Sequence, residues 1–255
     1  MIDLHCHVLP GIDDGPETLE ESVALARVAV DAGIDTLVAT PHVNSRTPND
    51  SATIARLVDT LNQRLDEEHV DLEVLPGGEI AISHLAEIEP QELSRLGLGG
   101  GPWLLVEPPF TPVAVGLAGM VQGVQRLGHR VVLAHPERCP ALQRDRQTVR
   151  ALAEGGVLMS ITAGSLTGRF GNEVRRFALE LAREGLIHNV TSDAHDSVRR
   201  PPGLAEQIEH AGLGPLLEWL TQMVPAAILA GEEMPPRPAA ARDGARRRRG
   251  WRLRR

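Results

Sequence analysis

MIDLHCH, residues 1–7, reads as a short β-run over residues 1–5 that closes on two histidines two positions apart. Side chains alternate across a strand, so His5 and His7 share one face while Cys6 points away from them. Six further runs of β-forming residues follow, at 36–40, 72–75, 103–107, 131–135, 157–161 and 188–192. Helical periodicity fills most of the intervals, at 16–32, 49–68, 112–127, 144–154 and 172–184. Seven strands alternating with helices predict a parallel sheet with right-handed crossovers. At 255 residues a closed or nearly closed α/β barrel is the simplest arrangement, with a doubly wound open sheet as the alternative. Two more helical patterns, 202–210 and 215–230, would cover one end. The glycine cluster 97–101 precedes a strand, whereas a phosphate-cradling loop follows one, so it reads as a turn.

From Glu232 the composition turns to Pro, Ala and Arg without apolar periodicity, which divides the chain into a domain at 1–234 and a disordered basic tail at 235–255. All 26 basic residues are Arg, and the net charge is −8. Residues 242–255 hold eight Arg against one Asp, so a body of charge −15 carries a tail of +7. That acidic body, with no Tyr and only three Phe and three Trp, argues against nucleic-acid binding by the domain. The tail could meet an anionic membrane surface. No apolar run reaches the length of a membrane span, and the N-terminus lacks the features of a signal peptide, so a cytoplasmic location is expected. Cys6 and Cys139 are expected to be free thiols. Neither has Arg six positions later, where Ile12 and Asp145 stand, which excludes the thiol-phosphatase signature.

The chemistry-bearing residues fall at strand ends. Asp13 and Asp14 follow the first strand, His42 the second and Glu79 the third, Glu107 and His135 end the fourth and fifth, and Asp193 and His195 close the seventh. In a parallel barrel these groups converge on the C-terminal rim, where active sites of such barrels form. Each alone has an ordinary explanation in packing or helix capping; their coincidence at successive strand ends does not. Crowded carboxylates repel one another unless positive charge compensates, and two or three divalent cations would do so. Imidazole and carboxylate donors without thiolate suit manganese, iron or zinc. Arg138, three residues past His135, could grip a phosphate or pair with the acidic rim, and Arg199 and Arg200 form a second possible clamp. His69, His84, His129, His188 and His210 read as packing or solvated residues.

Taken in order, MIDLHCH, GIDDGPET, ATPH, GGEI, VEPPF, AHPER and SDAH resemble the polymerase and histidinol phosphatase (PHP) superfamily. Within it the likeness is to bacterial capsule-operon tyrosine phosphatases of the CpsB/YwqE type, over residues 1 to about 231. The resemblance implies a distorted (β/α)7, TIM-like barrel with His5, His7, Asp14, His42, Glu79, Glu107, His135, Asp193 and His195 as metal ligands. It also implies two to three ions, manganese foremost with iron or zinc as alternatives, a phosphate-binding and catalytic role for Arg138, and substrate binding by Arg200. Asp193, His195 or a water would protonate the leaving group. The implied reaction is hydrolysis of phosphotyrosine on a protein, with a bacterial tyrosine kinase controlling capsular or exopolysaccharide synthesis as the partner. The chain departs from the family at Ala81 and Ile82 and at Cys139, where relatives often carry aromatic residues, and at Val224-Pro225, where Asn-Pro is frequent. Three rival readings are a small-molecule phosphomonoesterase such as a histidinol phosphatase, a nuclease, which the acidic body disfavours, and a non-catalytic module with structural metals.

Overall fold

Every side chain of strand β1 (Ile2–Cys6) is buried, as is every one of β8 (Leu158–Thr162). In β6 (Trp103–Glu107) and β7 (Arg130–Ala134) only one terminal residue escapes burial. A strand buried on both faces belongs in a barrel wall, with one face turned inward and the other roofed by helices. The computed structural model, which describes residues 1–238, shows such a barrel. Its other strands are β2 (Thr36–Ala39), β3 (His42–Val43), β4 (Glu73–Pro76), β5 (Glu79–Ala81) and β9 (Asn189–Thr191), all paired in parallel in the orders β1-β2-β4 and β3-β5-β6-β7-β8-β9.

The two sheets are one wall. β2 pairs with β4 and β3 with β5, so each expected second and third strand is a single stave broken near its C-terminal end. The breaks fall at Thr40-Pro41, where proline withholds a backbone donor, and at Gly77-Gly78, where a Cβ on Gly77 would lie 2.9 Å from Val38. The ring closes where β9 meets β1: the Asp193 amide donates to the His5 carbonyl and the His7 amide to the Ala194 carbonyl, each at 2.9 Å. Seven staves result, as expected, and the open sheet is not what forms.

The helices are α1 (Leu19–Asp31), α2 (Ser51–Glu67), α3 (Pro90–Arg95), α4 (Leu117–Arg126), α5 (Pro140–Arg144), α6 (Arg146–Glu154), α7 (Ala163–Thr167), α8 (Asn172–Glu184), α9 (Ala205–His210) and α10 (Val224–Ala230). In α2 the Asp50 carboxylate accepts from the Thr53 amide at 2.7 Å, and Ile54, Val58, Leu61 and Leu65 turn inward at helical spacing. The helix expected from residue 112 begins at Leu117, because Pro112 and the left-handed Gly116 hold the preceding segment as a loop. The short helices α3, α5 and α7 were not anticipated. The expected helix 215–230 is segmented: a 3-10 turn at Gly214–Leu216, a wide π-type turn at Trp219–Met223 and then α10, with Pro225 in its first turn.

After α10 the chain crosses beneath the barrel. Arg130, at the start of β7, donates to the carbonyls of Gly231 and Glu232 at 3.2 Å. Trp219 Nε1 donates to the Pro235 carbonyl at 3.1 Å, and the Arg237 guanidinium donates to the Ala182 carbonyl at 3.0 Å while lying over the Trp219 ring. These contacts tie Pro235 and Arg237, the first residues of the expected tail, to the body. Residues 239–255, which carry the arginine run, lie outside the described residues. Among the described residues no helix is long and apolar enough to cross a membrane. Both cysteines are free and buried.

Candidate metal centre

All nine expected ligands meet at the C-terminal mouth of the barrel, in four overlapping groups of donor atoms. His5 on β1 and His7 just past its end bring their Nε2 atoms to 3.2 Å. His5 Nε2 lies 3.3 Å from Glu79 Oε1 and 3.6 Å from Asp193 Oδ1, and His7 Nε2 lies 3.4 Å and 3.7 Å from the same two carboxylates. Glu79, at the start of β5, is the hub: its Oε1 is 2.8 Å from His135 Nε2 and its Oε2 is 3.0 Å from His42 Nδ1. Glu107 lies beyond, 4.0 Å from His135. On the solvent side, Asp14 Oδ1 reaches His195 Nε2 at 3.3 Å and His42 Nε2 at 3.5 Å.

The backbone contributes to this convergence. Among the described residues only His69, His135 and Asp193 have positive φ without being glycine, and two of the three are at the site. Left-handed backbone at a strand end turns the side chain off the wall and into the mouth, at a cost in strain that packing must offset.

The donor set fits divalent cations. Glu79 Oε2 and His42 Nδ1 are buried without a hydrogen-bond partner despite their closeness, and three imidazole Nε2 atoms crowd the same carboxylate. Both thiols are engaged elsewhere, Cys6 towards the Ala194 carbonyl and Cys139 towards that of Pro109, which leaves a purely N/O set.

Electrostatics agree. Burial, reinforced by the charge of Glu79, pushes the Glu107 carboxyl up to about 7. Burial also opposes ionisation of Glu79, but His5 and its imidazole neighbours outweigh it and hold that carboxyl well below the usual range. His7 has its proton disfavoured by burial, yet bonding to Asp13 and Glu79 raises it well above an ordinary imidazole. Such a site gathers protons onto lone pairs for which a cation competes.

Arg138 and Arg200 both clasp Asp193 Oδ2, at 2.6 and 2.8 Å, and Arg200 also donates to the Asp193 carbonyl at 3.0 Å. Of the two readings for Arg138, the ion pair with the rim is therefore formed, and four of its five N–H groups remain outside that bond. Arg199 is 89% exposed with its guanidinium near Asp196, while Arg200 alone of the pair reaches Asp193. His84 pairs with Glu87 at 2.7 Å rather than joining Glu79.

Asp13 stands among the chemistry-bearing residues of the sequence without a role assigned, while Asp3, Glu137, Phe110 and Phe170 escape that reading. Asp13 accepts from His7 Nδ1 at 2.7 Å, from the His42 amide at 3.1 Å and from the Gly15 amide at 3.0 Å, so it fixes the His7 tautomer and holds two loops together. A Cβ at Gly15 would stand 2.4 Å from the His7 carbonyl, which admits only glycine after this Asp-Asp pair. Asp3 accepts from the amides of His5 and Ser192 and so joins the first and last staves below the site. Glu137 accepts from the Thr162 amide and the Ser165 hydroxyl, tying the His135–Arg138 turn to the next stave. Phe110 and Phe170 flank the Arg138 guanidinium at 5.0 and 4.4 Å. Their one sequence signal was scarcity: the chain has only three Phe.

Residues 1–212 match the profile of the family described as capsular polysaccharide synthesis, CpsB/CapC. Tyrosine-protein phosphatase YwqE of Bacillus subtilis is 40% identical over 197 residues, covering 77% of this chain and 78% of the relative. The putative tyrosine-protein phosphatase CapC of Staphylococcus aureus is 31% identical over 204 residues, 79% of each. A solved structure from the pair YwqE of Bacillus subtilis and CpsB of Streptococcus pneumoniae, described as unique metal-dependent tyrosine phosphatases, superposes with a TM-score of 0.81 at 35% identity, over 94% of this chain and 99% of that one.

Proposed function

This chain belongs to the CpsB/CapC family of capsular polysaccharide synthesis, and on that footing we propose that it is a metal-dependent protein-tyrosine phosphatase. The observation that carries the reading is the nine-residue imidazole and carboxylate cluster with two guanidinium groups on its edge. Its four overlapping donor groups have the capacity for two or three cations, and the donor chemistry favours manganese, with iron or zinc also compatible. Bound there, such cations would supply Lewis acidity towards the phosphoryl oxygens and acidify the attacking water.

The protein's own groups do the rest. Asp193 presents Oδ1 to His5 and His7 and Oδ2 to Arg138 and Arg200, so one carboxylate sets the distance between the metal-ligand side and the guanidinium side. The free N–H donors of Arg138 and Arg200 are suited to hold equatorial oxygens of a transferring phosphoryl group. Burial works against ionisation of Asp193, but His5, His135 and Arg200 pull it down to about 2. Asp193 positions through these contacts, and Asp193, His195 or a water would protonate the departing phenolate. The family supports a substrate among proteins of capsular or exopolysaccharide synthesis, with a bacterial tyrosine kinase as the partner. The Arg-rich residues 242–255 would add contact with an anionic membrane surface.

The test is phosphate release by manganese-loaded protein from a phosphotyrosine peptide, a phosphoserine peptide and histidinol phosphate, each with a chelator control. Chelator-sensitive preference for phosphotyrosine is the expected result. Preference for histidinol phosphate would keep the site and replace the substrate, and no release with any divalent metal would overturn the enzyme reading.

A further inference from the structure

In an aryl phosphate the ring begins one oxygen away from phosphorus, so a phosphoryl group held by Arg138 brings its ring within reach of whatever lines that side of the mouth. Phe110 stands there. It lies in the loop between β6 and α4, 49% exposed, with its ring stacked on that of His135 at 5.4 Å between centroids and 25° between planes. The Arg138 guanidinium lies over the same ring and over Phe170. Phe110 is thus in contact at once with a metal-ligand imidazole and with the arginine assigned to the phosphate, yet half of it faces solvent.

An apolar residue of that size is exposed at a loss unless something covers it. The loop repeats the pattern: Phe110, Val113 and Val115 are three of the seven large hydrophobic residues exposed among the described residues. Another opening beside the site carries five carboxylates, Asp13, Asp14, Glu17, Glu21 and Asp196, with Pro16, Val198 and Arg199 on its wall and no aromatic ring other than the His195 imidazole. Ala81, Ile82 and Cys139 offer no ring on the same rim, and the Cys139 thiol is buried against Pro109. The aromatic surface at this mouth is therefore supplied by Phe110 and Phe170.

We infer that Phe110 is a specificity-determining residue that receives the phenyl ring of the substrate, selecting aryl over alkyl phosphate esters. The inference rests on the phosphotyrosine reading above. Ring-on-ring contact discriminates because aromatic pairs gain energy beyond simple burial, whereas an alkyl ester forms no such pair. The rival explanation is that Phe110 only steadies Arg138, in which case its loss would weaken every phosphate ligand alike.

The test separates these with inhibitors that undergo no reaction. Inhibition constants for phenylphosphonate, methylphosphonate and inorganic phosphate are measured against turnover of a phosphotyrosine peptide by wild type, Phe110→Ala and Phe110→Trp. Phe110→Ala is expected to weaken phenylphosphonate about five- to tenfold and to leave methylphosphonate and phosphate within twofold, with Phe110→Trp restoring phenylphosphonate binding. Equal weakening of all three ligands, or of none, would overturn the inference while the enzyme reading stands. A wild type that turns over no phosphotyrosine peptide would overturn both.

Discussion

Asp13 shows how much of a metal-ligand site depends on residues that are not ligands. It receives the His7 Nδ1 proton and thereby commits Nε2 to the cluster. Asp13→Asn keeps one acceptor oxygen for one of the two backbone amides, so the fold should survive, but divalent metal binding should weaken about 10- to 100-fold. A competition titration against a chromogenic chelator measures this, and unchanged affinity would remove Asp13 from the site's support. The nine donor residues were legible in the sequence because strand alternation places them on one rim and their chemical types coincide there. Asp13 and Phe110 were not legible as contributors. The role of Asp13 depends on which of two adjacent aspartates turns inward, and that of Phe110 on the path of a loop.

At the scale of elements, the underside of the barrel carries its own titration. His188, just before β9, accepts from the Met159 amide at 3.0 Å, and burial, then the nearby charge of Arg237, pulls it down to about 4. The unfolded chain takes up this proton below about pH 6.5, while the folded chain resists until about pH 4. The stability is therefore complete above pH 6.5 and is lost as pH falls towards 4, by up to about 3 kcal/mol. His188→Gln keeps an acceptor for the Met159 amide without titrating. Urea unfolding at pH 7 and pH 4.5 should show the smaller loss in the variant, and equal losses would exclude His188 as the cause. The main helices and strands were readable from apolar period and capping residues. The breaks at Thr40-Pro41 and Gly77-Gly78 were not, because fragments as short as β3 carry no period of their own. The segmented 214–230 region was read as one helix because its apolar spacing survives the wide turn ahead of Pro225.

For the molecule as a whole, counting staves made closure the simplest arrangement and left the open sheet as the alternative; the contacts between the last strand and the first decide for closure. The closing contacts at His5, His7, Asp193 and Ala194 also bring three of the nine donor residues together. The boundary of the body was less legible: Pro235 and Arg237 look like tail by composition and are held by an indole and a carbonyl that only the folded barrel presents. On the proposed function, this rim holds catalytic cations around Glu79. The most direct test is metal content by elemental analysis, measured alongside phosphotyrosine turnover, for wild type and Glu79→Gln. The account predicts two to three equivalents and chelator-sensitive turnover in the wild type, with at least one equivalent and nearly all turnover lost in the variant. Full metal content and turnover in Glu79→Gln would contradict it.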